Sequence, residues 1–333
     1  MTVSNFDCKN QSILVIGAGS IGKRHLKNLY SIGYTNLSVF RHNSSERLTI
    51  DGIEFPVLND WEAIRKNQFY AIFICTPTVF HLDQALFSLK LNAHVFIEKP
   101  LAPSLKGLNN LRKNILRTEK TVFVAYMLRF HPLIMKIKGF VEVGNFGNLI
   151  SFTTKWGEYL PNWHPWEDYS NSYASRNDLG GGVALTLSHD IDIVNWITGS
   201  PLIKTYQIKN YRSDLKIDVE GGIDIIYQYE NGITGHSHLN YYSRANERYM
   251  EFIFESATVR FNYYSSTLTV VNKDFSETFE IDNFDRNQLF LDELNYFFNK
   301  CKSNSIQESL DTIIESEMII NICNNDEWIR KRK

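Results

Sequence analysis

The sequence predicts an α/β protein: a doubly wound parallel sheet, followed by an α+β region with an open-faced, mostly antiparallel sheet. Three observations predict it. Short apolar runs alternate with amphipathic helical stretches up to about residue 125. A glycine turn, Gly17-Ala18-Gly19-Ser20-Ile21-Gly22, follows the first of these runs. Beyond Tyr126 the pattern changes to strands joined by hairpin-type turns such as Glu230-Asn231-Gly232.

The elements follow in order. Ile13-Leu14-Val15-Ile16 is a continuous apolar run, the pattern of a strand buried on both faces. Residues 23–32 read as a helix ended by Gly33, and 37–40 as a second strand. Residues 61–66 read as helix and 71–75 as a third buried strand, stopped by Pro77. Helices are expected at 81–91 and 105–119, and strands at 94–97 and 121–125. In the second half, strands are expected at 150–156, 203–209, 222–229, 234–240, 249–254, 258–262 and 266–271. Helices flank them at 132–143, 187–197, 287–301 and 306–324. The boundaries expected are 1–125 for the parallel-sheet domain and 126–333 for the α+β domain.

The 333 residues suit two domains at roughly 150 residues each. Composition is 43% hydrophobic and 22% charged, which excludes disorder. A net charge of -2 gives no electrostatic reason to bind nucleic acid or an anionic membrane. The basic run Arg330-Lys331-Arg332-Lys333 reads as a solvated tail. Cys8, Cys75, Cys301 and Cys323 form no C-x-x-C pair, so neither a zinc site nor a disulfide framework is expected. This favours a reducing, cytoplasmic compartment. The residues before Ile13 are polar, and the first apolar run is too short for a signal peptide core or a membrane span.

Three constellations carry chemistry. In the glycine turn, Gly17 permits the tight bend, Gly19 admits a pyrophosphate, and Gly22 allows close helix–sheet packing. Ser20 and Ile21 open the helix, whose N-terminal N–H groups face the phosphates. The second strand ends in Phe40-Arg41-His42-Asn43-Ser44, without the acid that binds a ribose 2′-hydroxyl. Arg41 and Ser44 suit a 2′-phosphate, which favours NADP(H), although Arg41 stacked on adenine would also suit NAD.

The second constellation is Thr76-Pro77 with His81, then Glu98-Lys99-Pro100. Both follow predicted parallel strands, at the sheet edge where ligands of open α/β sheets bind. Beside a nicotinamide, Lys99 is placed to hydrogen-bond the reacting oxygen. A structural Glu98–Lys99 pair at a strand end is the plainer alternative. The third constellation is Gly180-Gly181-Gly182 followed by His189 and Asp192, which share a helix face at a spacing of three. An imidazole takes a hydroxyl proton while hydride leaves, and a carboxylate orients it. Scattered histidines, with His236 and His238 on a strand face, argue against a metal. Between these lies an aromatic loop with Trp163, His164, Trp166 and Tyr169; it reads as a sugar-binding platform or as ordinary loop packing.

Taken together, Gly17-x-Gly19-x-x-Gly22, Thr76-Pro77 with His81, Glu98-Lys99-Pro100-Leu101-Ala102, Leu128-Arg129-Phe130-His131-Pro132 and Gly180-Gly181-Gly182 with His189-x-x-Asp192 resemble the Gfo/Idh/MocA oxidoreductases. The resemblance spans nearly the whole chain. It implies hydride transfer between NAD(P) and a sugar or cyclitol carbon, and a homodimer or homotetramer built on the open sheet. It implies Lys99 and His189 as the catalytic pair. Asp192 would then orient His189, and Thr76, Pro77, His81, Glu98 and Lys99 would line the cofactor. Arg129 with Trp163, His164, Trp166 and Tyr169 would hold substrate. The loop also resembles a subgroup of surface-polysaccharide and nonulosonic-acid pathways, which points to a sugar nucleotide or an activated amino sugar. Thr186 stands where relatives often carry Asp: either Asp190 or Asp192 substitutes, or the chemistry is slower or altered. The resemblance leaves two further readings open: a redox-neutral lyase or glycosidase on the same fold, and a non-enzymatic sensor.

Overall fold

The computed structural model describes residues 8–42, 44, 46–303 and 305–324. The basic run 330–333 and the side chain of Cys8 lie outside the described residues. The chain divides into two units, one of Met1–Ala125 with Phe290–Ser316 and one of Tyr126–Leu289 with Glu317–Lys333.

The first unit is built on β1 (Ile13–Ile16), α1 (Ser20–Ser31), β2 (Leu37–Phe40), a small ribbon β3 (Leu48–Ile50) and β4 (Ile53–Phe55), β5 (Val57–Leu58), α2 (Trp61–Arg65), β6 (Ala71–Ile74), α3 (His81–Lys90), β7 (His94–Glu98), α4 (Leu108–Thr118) and β8 (Val122–Ala125). Its six-stranded sheet runs β5-β2-β1-β6-β7-β8, parallel throughout. All four side chains of β1 and all four of β6 are buried, as helices on both faces of a parallel sheet require. Strand order reverses between β1 and β6, so the carboxyl ends of these strands open a crevice suited to a ligand.

The second unit holds α5 (Pro132–Val143), β9 (Leu149–Tyr159), α6 (Val183–Thr186), α7 (Ser188–Thr198) and seven more strands: β10 (Leu202–Asn210), β11 (Gly222–Tyr229), β12 (Thr234–Asn240), β13 (Tyr242–Phe254), β14 (Thr258–Asn262), β15 (Thr267–Val271) and β16 (Ser276–Glu280). Its sheet order is β10-β11-β12-β9-β13-β14-β15-β16, antiparallel except where β12 meets β9. One face is packed: Ile223, Ile225, Tyr227 and Tyr229 of β11 are buried, while Ile226 and Gln228 between them are exposed.

Two C-terminal helices, α8 (Arg286–Ser303) and α9 (Ile306–Asn324), complete the chain. Residues 126–333 were expected to stay together, but Phe290–Ser316 groups with the first unit. The reason is aromatic packing. Phe73 and Phe96 stack at 4.6 Å, and Phe297 meets both edge-on at 5.5 and 5.4 Å. Phe298 stacks on Tyr34 at 4.4 Å. Other departures are local. The helix expected over 187–197 is α7, and the short α6 before it was not expected; β13 starts at Tyr242, seven residues before the expected 249. Strand β16 was not expected, because Ser276-Glu277-Thr278-Phe279-Glu280 carries little apolar signal.

Candidate active site

The first unit's site begins at the glycine turn. Gly17 has φ +101°, and a Cβ there would lie 2.6 Å from the Cys75 carbonyl oxygen at the end of β6. A Cβ on Gly22 would lie 2.0 Å from the Gly17 carbonyl oxygen. Both glycines therefore serve packing of the turn itself. Gly19 differs: a Cβ there would meet nothing within 4 Å. Gly19 and Ser20 are exposed, and Ile21 is half-buried. Helix α1 starts here without a side-chain cap and without an acid in its first turn. Open space before uncapped N–H groups fits the phosphates of a dinucleotide. At the end of β2, the Arg41 N–H donates to the Leu58 carbonyl (3.0 Å), and the Ser44 N–H donates to the Arg41 carbonyl (3.2 Å).

Glu98 and Lys99 follow at the end of β7. The buried His25 of α1 reaches Glu98 through Nε2 (2.7 Å). Its ring sits among Phe73, Phe96 and Phe290. Glu98 is thus committed to a protein partner, and Lys99 is half-buried beside it. His81, expected to line the cofactor, is 1% exposed. Its Nε2 faces the Thr76 carbonyl (2.7 Å) and its Nδ1 the Pro100 carbonyl (2.8 Å). Burial lowers its pKa, and the two carbonyl acceptors oppose that fall. His81 ties the segment after β6 to the segment after β7 and is a positioning residue. Thr76 Oγ1 donates to Gln84 of α3 (2.7 Å), and Pro77 starts the turn into that helix.

In the second unit, Asp192, expected to orient His189, accepts from Arg129 with both oxygens, Oδ2 from Nε (3.0 Å) and Oδ1 from Nη2 (2.5 Å). The fork–fork geometry holds Arg129 against Asp192, which leaves only part of the guanidinium to meet a substrate. Asp190 is also matched: its Oδ1 accepts from Nε (3.1 Å) and Nη2 of Arg248 on β13. Burial raises the Asp190 pKa, and the Arg248 charge opposes that rise. The His189 ring is 6% exposed and packs edge-on to Tyr126 at 5.7 Å and near Trp156 at 6.4 Å. Burial raises the Tyr126 pKa well above its ordinary value, and Asp192 adds to that.

The three glycines before α6 serve internal packing. A Cβ on Gly181 would lie 2.2 Å from the Tyr173 carbonyl oxygen, and one on Gly182 (φ +106°) 2.7 Å from Glu220 Oε1. Glu220 accepts from the Ala184 N–H (3.2 Å) and so caps α6. In the aromatic loop, Trp163 packs perpendicular to the buried Tyr241 at 5.5 Å, whose hydroxyl faces Thr186. His164 meets Trp166 at 5.3 Å, and Trp166 is 76% exposed. The Tyr169 hydroxyl accepts from the Lys216 N–H (3.0 Å) and is held within the loop region. Sequence reasoning missed His25, Tyr126, Tyr241, Glu220 and Arg248. Only Tyr126 carried a local signal, its place just after a buried strand. Among the described residues, no group of three or more His, Cys, Asp or Glu is placed to hold a metal ion.

A parallel sheet with an open glycine turn at its switch point defines a dinucleotide-binding protein of the Rossmann class. The chain belongs to the Gfo/Idh/MocA oxidoreductases: residues 11–126 match the oxidoreductase family with an NAD-binding Rossmann fold, and residues 134–260 match its C-terminal domain. It is 28% identical over 199 residues to an uncharacterized oxidoreductase of Bacillus subtilis, YrbE, covering 58% of this chain and 55% of that protein. It is 25% identical over 231 residues to myo-inositol 2-dehydrogenase of Thermotoga maritima, covering 66% of each. The chain thus spans less than two thirds of either relative's length. A levoglucosan dehydrogenase solved with NADH has the same fold, with a TM-score of 0.80 at 17% identity over 96% of this chain and 98% of that one.

Proposed function

We propose that this chain is an NAD(P)-dependent dehydrogenase that moves hydride between the cofactor and a hydroxyl or keto carbon of a sugar derivative, such as a sugar, a cyclitol or a sugar nucleotide. One observation carries the reading: a single helix, α1, offers its open N-terminus at Gly19 and, through His25, holds Glu98 next to Lys99. The phosphate-binding end and the candidate catalytic lysine are therefore fixed to one rigid element. The related inositol dehydrogenase supports the substrate class.

Bound at the glycine turn, the dinucleotide supplies the hydride acceptor or donor. Lys99 hydrogen-bonds the oxygen that changes oxidation state and stabilises the charge it develops. His189 takes the hydroxyl proton during oxidation and returns it during reduction. Asp192 acts by holding Arg129, and Arg129 contacts the sugar together with Trp163 and Trp166 of the aromatic loop. Arg41, with Ser44 and no acid at the end of β2, selects the 2′-phosphate of NADP(H).

The test follows nicotinamide absorbance with NAD and NADP in both redox states against cyclitols, free sugars, sugar phosphates and nucleotide-linked amino sugars with their keto forms. Turnover of one substrate class, faster with NADP, is the expected result. Cofactor binding by calorimetry without turnover of any of these classes would overturn the dehydrogenase reading.

A further inference from the structure

Asp190 and Arg248 are not used by the mechanism above, yet Asp190 adjoins its proton carrier in sequence and Arg248 packs on the Trp156 ring that lies near it. Asp190 follows His189 on α7 and is fully buried. Arg248 is 3% exposed, and its guanidinium lies over the Trp156 ring, 3.6 Å from the centroid, with Tyr263 at 4.7 Å. The same Trp156 ring packs near His189. A full positive charge thus lies one aromatic ring from the imidazole, and its counter-charge lies on the adjacent residue. A cation held over an indole face is strongly placed, because ring, hydrogen bonds and burial all fix it.

The titratable groups near this cluster include Asp192, Tyr126, His131 and Glu158. Asp192 is matched by Arg129. Tyr126, against the His189 ring, stays protonated because burial raises its pKa. His131, beside Arg248, is pushed down to about 4 by burial, with Arg248 adding to the effect. Glu158, which bears on Asp190, takes the Tyr264 hydroxyl as a donor.

We propose that Arg248 and Asp190 are positioning residues that set the protonation midpoint of His189: the buried pair keeps the field at the imidazole near neutral and fixes the first turn of α7. Arg248 alone disfavours the imidazolium, and Asp190 alone favours it. This proposal rests on His189 as the proton carrier.

The test is a side-chain NMR titration of His189 in the full chain, assigned by the signal lost in His189→Gln. Asp190→Asn leaves the Arg248 charge uncompensated and is expected to lower the His189 midpoint by about one pH unit. The double variant Asp190→Asn with Arg248→Gln removes both charges and is expected to return the midpoint to the wild-type value. Arg248→Gln alone is expected to raise the midpoint or leave it in place, depending on whether Asp190 keeps its charge. Arg248→Lys keeps the charge and the midpoint. A merely structural pair would displace the double variant at least as far as Asp190→Asn. An unmoved midpoint in Asp190→Asn, a double variant as displaced as the single, or a lowered midpoint in Arg248→Gln would each overturn the proposal. If Asp190→Asn fails to fold, the double variant and Arg248→Gln still decide, since the first carries no unmatched buried charge. The titration needs no substrate, so this proposal and the dehydrogenase reading fail separately.

Discussion

At the scale of the residue, the candidate site is a set of side chains held by partners far away in sequence. Lys99→Ala is expected to abolish turnover, by at least about a thousandfold, while calorimetry still finds dinucleotide bound. Turnover near the wild-type rate in that variant would remove Lys99 from the mechanism. Arg129→Lys keeps the charge but loses the fork on Asp192. Its expected effect is a KM for substrate raised about tenfold or more, with cofactor affinity unchanged. His131 carries a pH prediction. Its Nδ1 accepts from the Leu133 N–H (3.2 Å), and burial depresses its pKa to about 4 from the ordinary 6.5. The unfolded chain binds this proton first, so the stabilisation is complete above about pH 6.5 and is lost as pH falls towards about 4. His131→Asn keeps the cap and removes the titration. Thermal unfolding midpoints between those two pH values should fall less steeply in this variant.

At the scale of the element, the glycine turn separates packing from binding. Gly22→Ala drives a Cβ to 2.0 Å from the Gly17 carbonyl oxygen, so stability should fall by about 1–3 kcal/mol in denaturant unfolding. Gly19→Ala meets nothing within 4 Å, so stability should barely change while dinucleotide affinity falls about tenfold or more. Equal losses of stability in both variants would contradict the assignment. This turn was legible in the sequence because all its determinants lie within six residues. The parallel strands were legible for a similar reason, since burial on both faces forces a continuous apolar run. The pairings were not. His25 finds Glu98 73 positions away, and Arg248 finds Asp190 58 positions away. The spacing of His189 and Asp192 shows a shared helix face, but not the arginine fork on Asp192, which comes from 63 positions away and in which a planar guanidinium matches both oxygens at once. The close neighbours of Gly181 and Gly182 are likewise distant in sequence or outside the motif, namely backbone carbonyls of 173–176 and Glu220.

At the scale of the whole molecule, the second unit's sheet leaves apolar side chains in water. Tyr206, Ile208 and Ile226 are 57%, 71% and 52% exposed. Register places Tyr206 opposite Ile226 and Ile208 opposite Asp224, so the three form one outward patch across β10 and β11. His236 and His238, both reaching Asp224, continue the same face onto β12. Alternation explains why the patch is not an accident of folding: the inward residues of β11 already fill the core, and nothing in the fold requires isoleucine on the outward positions. A second copy of this chain is the occupant we propose for it, in keeping with the homo-oligomer implied by the family resemblance. A self-complementary patch pairs with its own copy about a two-fold axis, and aromatic and branched side chains at its centre supply the energy. Ile208→Asp with Ile226→Glu places like charges opposite one another across that axis. Light scattering should then find the mass of a single chain where the wild type gives a dimer or tetramer. The two outward positions lie away from the core, so the unfolding transition of the variant should remain cooperative. A wild-type chain that is already monomeric at micromolar concentration would end the proposal.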